Sequence, residues 1–119
     1  MRKFIVSTFT ALAITFISSV SIAGRVEGPA EITDSISPER FNNHAANLKG
    51  GEVTVITLKG DGGSDLDCFL LNSLNEIVTS DVNSSDTCTL TITPTITGRY
   101  DLRVYNAGSK RNTYVSNIN

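Results

Sequence analysis

Beyond about residue 50, apolar residues recur at every second position over short runs, and turn-forming residues break those runs at intervals of about ten. A period of two is that of half-buried strands, and the spacing of the breaks predicts an all-β sandwich. The expected strands are Phe41–Leu48, Glu52–Leu58, Leu66–Leu71, Glu76–Val82, Cys88–Thr93, Tyr100–Tyr105 and Thr113–Ile118. Gly50-Gly51, the stretch Gly60 to Gly63, Asn72 to Asn75, Asn83 to Asp86, Thr97-Gly98 and Asn106 to Lys110 supply the turns. The run "FNNHAANL" is the weakest strand, because Asn and Ala have poor strand propensity, and a short helical turn is its alternative. From Gly24 to Glu39 the chain is polar and lacks helical periodicity. It reads as an extended lead-in with room for one edge strand.

Strand parity then assigns faces. In "DLDCFLL" it sends Leu66, Cys68 and Leu70 to the core and Asp65, Asp67 and Phe69 to the surface. In "CTLTIT" it groups Cys88, Leu90 and Ile92 on one face, so both cysteines point inward. A hairpin loop Ser73-Leu74-Asn75, with Asn75 in the left-handed region that Asn tolerates, would pair Asn72 with Glu76. Carried along the strands, that register sets Leu70 against Val78 and Leu66 against Val82, facing in. It sets Asp67 against Asp81, facing out.

The N-terminus changes the length to be folded. "MRKFIVSTFTALAITFISSVSIAG" begins with Arg2 and Lys3, continues apolar and ends in the small residues Ser21-Ile22-Ala23, the layout of a secretory signal peptide cleaved after Ala23. The expected division is therefore signal peptide 1–23, lead-in 24–39 and sandwich domain 40–119, in a secreted or periplasmic protein. Cleavage removes 23 of 119 residues, leaving 96, and takes away two basic side chains, so eight Lys and Arg face twelve Asp and Glu. An acidic balance argues against nucleic acid, which needs a cationic face, and against an anionic membrane surface once the signal peptide is gone. A monomer is expected. In an oxidising compartment Cys68 and Cys88 favour a disulfide over a metal or redox pair, with two buried thiols as the alternative.

Candidate chemistry centres on the acidic turn "GDGGSDLD". Two readings stand side by side. Asp61, Asp65, Asp67 and Asp81, with carbonyls from Gly62-Gly63, are a candidate Ca²⁺ site, since calcium takes six to eight oxygens from carboxylates and glycine-containing loops. The same residues are otherwise a solvated rim, offset by Lys59, Arg99 or Arg103. The spacing does not match an EF-hand. Catalysis has little to stand on: His44 is the single histidine, no GxSxG motif accompanies it, and a carboxylate pair for glycoside hydrolysis would need a deep cleft. Phe69, outward by parity, is a candidate binding residue, joined by Tyr105 if their strands share a sheet.

The segment from about Gly50 to Asn119 resembles the bacterial pre-peptidase C-terminal domain family. The resemblance rests on "GDGGSDLDCFLL", on "NEIVTSD" and on "SDTCTLTITPTITGRYDLRVYNAGSKRNTYVSNIN". Within the last, Cys88, Pro94, Gly98, Tyr100, Val104, Asn106, Gly108, Asn112, Tyr114 and Asn119 fall at the family's spacing. Asn75 stands where the family often has Gly, and "FNNHAANL" departs from its pattern. The resemblance implies a jelly-roll-like antiparallel β-sandwich of about seven to eight strands, and no catalysis. In the family the domain is commonly appended to secreted peptidases, and related domains bind collagen-like substrates with calcium nearby. Calcium carries over only to Asp65 and Asp67. The expected function is a non-catalytic secreted module that contacts a protein or a polysaccharide. A calcium-dependent structural or adhesive domain is the alternative, and a small hydrolase using His44 a distant third.

Overall fold

A computed structural model describes residues 24–119. The expected signal peptide, 1–23, lies outside the described residues. Eight strands follow in order: β1 (Ala30–Ile36), β2 (Phe41–Leu48), β3 (Thr54–Lys59), β4 (Leu66–Leu71), β5 (Ile77–Asp81), β6 (Thr87–Ile92), β7 (Gly98–Asn106) and β8 (Asn112–Ile118). They form two four-stranded sheets, ordered β1-β8-β3-β6 and β2-β7-β4-β5. The pairs β1·β8, β2·β7, β3·β6 and β4·β5 are all antiparallel. The chain is thus one long hairpin rolled into two sheets, which is the jelly roll.

The strands at Phe41–Leu48 and Leu66–Leu71 coincide with those expected, and the others shift by one or two residues. The lead-in does supply an edge strand: Ala30–Ile36 pairs with β8 over its whole length, so the sandwich starts before residue 40. "FNNHAANL" is a strand in spite of its propensities. Eight consecutive pairs with β7, from Phe41↔Tyr105 to Leu48↔Gly98, satisfy its backbone, and Ala46 and Leu48 enter the core. Tertiary pairing overrides a weak local preference.

The inward residues fill one core between the sheets: Ile36, Ile56, Leu58, Leu90, Tyr114 and Ile118 from the first, Leu48, Leu66, Leu70, Tyr100, Leu102 and Val104 from the second. Cys68 and Cys88 are bonded across it from β4 to β6, with their Cα atoms 6.2 Å apart. Closing a loop of this length contributes about 3 kcal/mol in the chain-entropy picture.

One expectation fails in the β4–β5 hairpin. Its loop is as expected, with Asn75 at φ 63° and Asn72 N–H donating to Glu76 O at 2.9 Å. A bulge then shifts the register between Leu71↔Ile77 and Leu70↔Thr79. Val78 therefore does not oppose Leu70, and Asp81 lies opposite Cys68 rather than Asp67. Val78 and Val82, expected inside, are exposed. The physical reason is position. The open side of β5 looks toward the free edge of β6, where a backbone donor needs an acceptor, and Asp81 Oδ2 accepts Thr89 N–H at 2.8 Å. An inward carboxylate on an edge strand meets that demand and a valine cannot.

At the opposite end of β7, Asn106 is fully buried and binds four groups. Its Nδ2 donates to Ile36 O (3.0 Å) and Lys110 O (2.8 Å), while its Oδ1 accepts from Ser64 Oγ (2.6 Å) and Gly108 N–H (2.9 Å). Gly108 has no room for a side chain there, since a Cβ would lie 2.9 Å from Asp65 N and on top of Ser64 Oγ. Asn106→Ala should cost about 2–4 kcal/mol by leaving buried groups without partners. For a domain of this size that lowers Tm by roughly 10–20 °C. A thermal melt followed by circular dichroism checks it, and an unchanged Tm would show that the amide does not hold this pole together.

Candidate functional site

The outer face of the β2-β7-β4-β5 sheet carries the aromatic residues. Cross-strand register lines up Phe41, Tyr105 and Asp67 in one row and Asn43, Arg103 and Phe69 in the next. β7 lies between β2 and β4, so Tyr105 and Phe69 share a sheet. Phe41 is 55% exposed, and its ring centroid lies 4.7 Å from that of Tyr105 at a 40° tilt. The Arg103 guanidinium sits over the Phe41 ring at 5.7 Å, and its Nε donates to Asn43 Oδ1 at 2.9 Å. Phe69 is half-buried beside Arg103, on the outward face that parity predicts. Phe41 was the residue that sequence reasoning missed. Alternation along "FNNHAANL" puts it on the same face as Asn43, Ala45 and Asn47, but the strand itself looked too weak to support the argument.

The four candidate carboxylates separate. Asp61 accepts Gly63 N–H at 2.9 Å through Oδ1 and Thr113 N–H at 3.0 Å through Oδ2. The Thr113 and Gly63 hydrogen bonds hold its carboxyl below its ordinary pKa. Asp81 is occupied by Thr89 N–H and by Asn83 Nδ2, which donates to Oδ1 at 2.6 Å. Asp65 and Asp67 do come together. Asp67 is nine-tenths buried on a face expected to be open, and Oδ1 of each is buried without a hydrogen-bond partner. Burial raises the Asp67 pKa, and the charge of Asp65, a side-chain hydrogen-bond contact between the two carboxyls and the charge of Asp81 raise it further. Among the described residues no three His, Cys, Asp or Glu side chains gather as a metal-binding group.

His44 faces inward from β2 at the other edge of the sandwich. Its Nε2 lies 2.7 Å from the Tyr114 hydroxyl and 3.9 Å from Asp34 Oδ2. Asn42 Nδ2 donates to the same hydroxyl at 3.0 Å, so the phenol oxygen joins Asn42 and His44 in one hydrogen-bonded cluster. Burial lowers the His44 pKa, against an upward pull from Asp34, and burial pushes Tyr114 up to about 12. The ring nitrogen that a hydrolase would need is bonded to a buried phenol, and the neighbouring Ser35 hydroxyl pairs with Thr113 Oγ1 at 3.2 Å. This is a structural polar cluster.

The fold has known counterparts. A pre-peptidase C-terminal domain of collagenase from Bacillus anthracis superposes with a TM-score of 0.59 at 15% identity, over 76% of this chain and 88% of that one. The chain has the fold of a pre-peptidase C-terminal domain. The same fold relates it to Aeromonas hydrophila PliG, a periplasmic inhibitor of g-type lysozyme, with a TM-score of 0.55 at 15% identity over 88% of this chain and 90% of that one. No protein-family model and no curated protein matches the sequence. At this identity the likeness is one of fold, and the expected jelly roll is borne out.

Two pH effects of opposite sign follow. The folded His44 pKa lies below its unfolded value near 6.5, so the unfolded chain binds the proton first. Stability from this site is intact above about pH 6.5 and is lost as pH falls toward the folded pKa. In His44→Gln that acid loss should shrink, as read from Tm between pH 7 and pH 5. Asp67 runs the other way. Its folded pKa lies above the unfolded 3.8, so the ionised form opposes folding above the folded pKa, and the penalty disappears as pH falls below 3.8. Asp67→Asn should therefore raise Tm by a few degrees at pH 7 and lose that advantage near pH 3. A variant less stable than wild type at pH 7 would show the carboxylate to be favourable in the fold.

Proposed function

We propose that this chain is a non-catalytic binding module that works outside the cytoplasm and contacts a protein or a polysaccharide through the outer face of the β2-β7-β4-β5 sheet. The observation that carries it is the group of exposed Phe41 with the half-buried Tyr105 and Phe69, and Arg103 held over Phe41, on one outer sheet face. Aromatic rings and arginine are the side chains that dominate binding surfaces. A groove of about 430 Å³ lies instead on the other sheet between Glu31, Val55, Thr57 and Asn117. It brings no acid and base together. The disulfide supports an oxidising compartment, secreted or periplasmic.

PliG inhibits a g-type lysozyme, and its fold covers most of this chain, so a bacterial-cell-wall hydrolase of that type is a direct candidate partner. Binding of g-type lysozyme measured by calorimetry tests the reading. Phe41→Ala and Phe69→Ala should each weaken it about tenfold or more, the loss expected of a central aromatic, with Tm little changed. Retained affinity in both variants would move the contact surface off this face. If lysozyme does not bind, the same variants test the face against collagen and against neutral glycans.

A calcium-dependent structural or adhesive domain is the second reading, favoured by the two orphaned oxygens of Asp65 and Asp67. The pair fits one edge of an oxygen shell, leaving carbonyls and water to complete six to eight ligands. An ion that binds the folded state at about 100 times its Kd adds roughly 2.7 kcal/mol. Chelator should then lower Tm by several degrees in wild type and leave Asp67→Ala unaffected. Equal melts with calcium and with chelator would remove this reading.

A further inference from the structure

We propose that the partner recognised by this face is a cationic protein, and that it seats a lysine or arginine side chain against Tyr105 beside the carboxyls of Asp65 and Asp67. The proposal rests on the reading of the face as the binding surface and adds the chemistry of what it binds. Phe41, Tyr105 and Asp67 stand side by side on β2, β7 and β4, so the aromatic row ends in the acidic pair. The Oδ1 atoms of Asp65 and Asp67 are both buried without a donor from another residue, Asp67 is nine-tenths buried, and the two carboxyls are in hydrogen-bonding contact with each other. A buried acceptor without a donor is costly, and two adjacent carboxyls add repulsion between like charges.

Two arginines of this sheet are engaged elsewhere. Arg103 is committed to the Phe41 ring and to Asn43 Oδ1, and Arg99 to Asp101 at 3.2 Å. Asp81, the third charge that bears on Asp67, is itself acidic. An incoming ammonium or guanidinium would offset the charge of the pair and lie against an aromatic ring, which attracts cations through its quadrupole. A sugar hydroxyl carries no charge with which to do so. The long-range field acts in the same direction, since the chain from Gly24 onward has twelve acidic against eight basic side chains. The chemistry therefore points to a basic protein surface.

The test uses poly-L-lysine as the probe, with neutral dextran and poly-L-glutamate beside it, and wild type, Asp65→Asn/Asp67→Asn, Glu31→Gln/Glu76→Gln and Tyr105→Ala as the proteins. The two double variants remove the same charge from different places. Expected is a loss of tenfold or more in affinity for poly-L-lysine in Asp65→Asn/Asp67→Asn, with a weaker salt dependence, a clear loss in Tyr105→Ala, and less than threefold in Glu31→Gln/Glu76→Gln. Equal losses in the two double variants would overturn the proposal, because the attraction would then be diffuse. So would tighter binding of dextran than of poly-L-lysine. If Phe41→Ala and Phe69→Ala weaken a natural partner while Asp65→Asn/Asp67→Asn leaves its affinity and salt dependence alone, the face stands as the binding surface and the cationic contact falls.

Discussion

The acidic pole of the sandwich hangs on one buried amide. Asn106 closes β7 and, with its hydrogen-bonding capacity filled, ties the end of β1, the β7–β8 turn and the loop into β4 to one point. Asn112, also fully buried, adds a second tie by accepting Asp61 N–H at 3.0 Å. The glycine and aspartate loop that looks from its composition like a flexible ligand cradle is therefore a braced one. Asp61 and Asp86 accept backbone N–H groups within it, from Gly63 and Thr113 and from Gly62. Because Ser64 is held by Asn106 and Ala107 N–H donates to Asp65 O at 2.8 Å, the entry into β4 is set, and with it the adjacency of Asp65 and Asp67.

A jelly roll leaves two sides where strand edges face each other across the core, and here each is managed with polar groups. On one, Asp81 points inward from β5 and takes a donor from β6, while the bulge at Val78 turns the strand to allow it. On the other, Asn42 donates to Ser35 O at 3.1 Å and to the Tyr114 hydroxyl, and His44 completes the cluster. Both devices blunt edges that would otherwise offer free backbone groups to another chain. The second has a cost in acid, since burial holds the His44 imidazole below its ordinary pKa.

The fold alone does not say what the module does. A collagenase's appended domain and a periplasmic lysozyme inhibitor share it, with unlike roles. One sheet face of this chain carries two aromatic rings in contact, an arginine laid over one of them, a third ring in the next row and a carboxyl pair at the end. A flat face of this kind suits a partner's surface better than it suits a small substrate, because there is no enclosure in which to exclude water and align a reaction.

Most of the strands from β3 to β8 follow from a period of two, because side-chain alternation is a local property of extended backbone, and the Cys68–Cys88 bond follows from an even cysteine count in an oxidising compartment together with parity. The left-handed Asn75 is local in the same sense. Parity also put Phe69 outward correctly. What it could not reach depends on which strands become neighbours. Phe41 and Tyr105 touch only because β2 pairs with β7, residues distant in sequence, and a propensity argument had made β2 the least trusted strand. The burial of Asp67 on an outer face, the capture of Asp61 by Thr113, and the rotation of Asp81 from surface to edge cap all arise from groups on other strands that need hydrogen-bond partners. Local alternation determined most strands and, outside the bulged β5, their faces, whereas the demand of buried and edge backbone groups for donors and acceptors, which exists only once the sheets are assembled, decided which carboxylates are taken up within the fold.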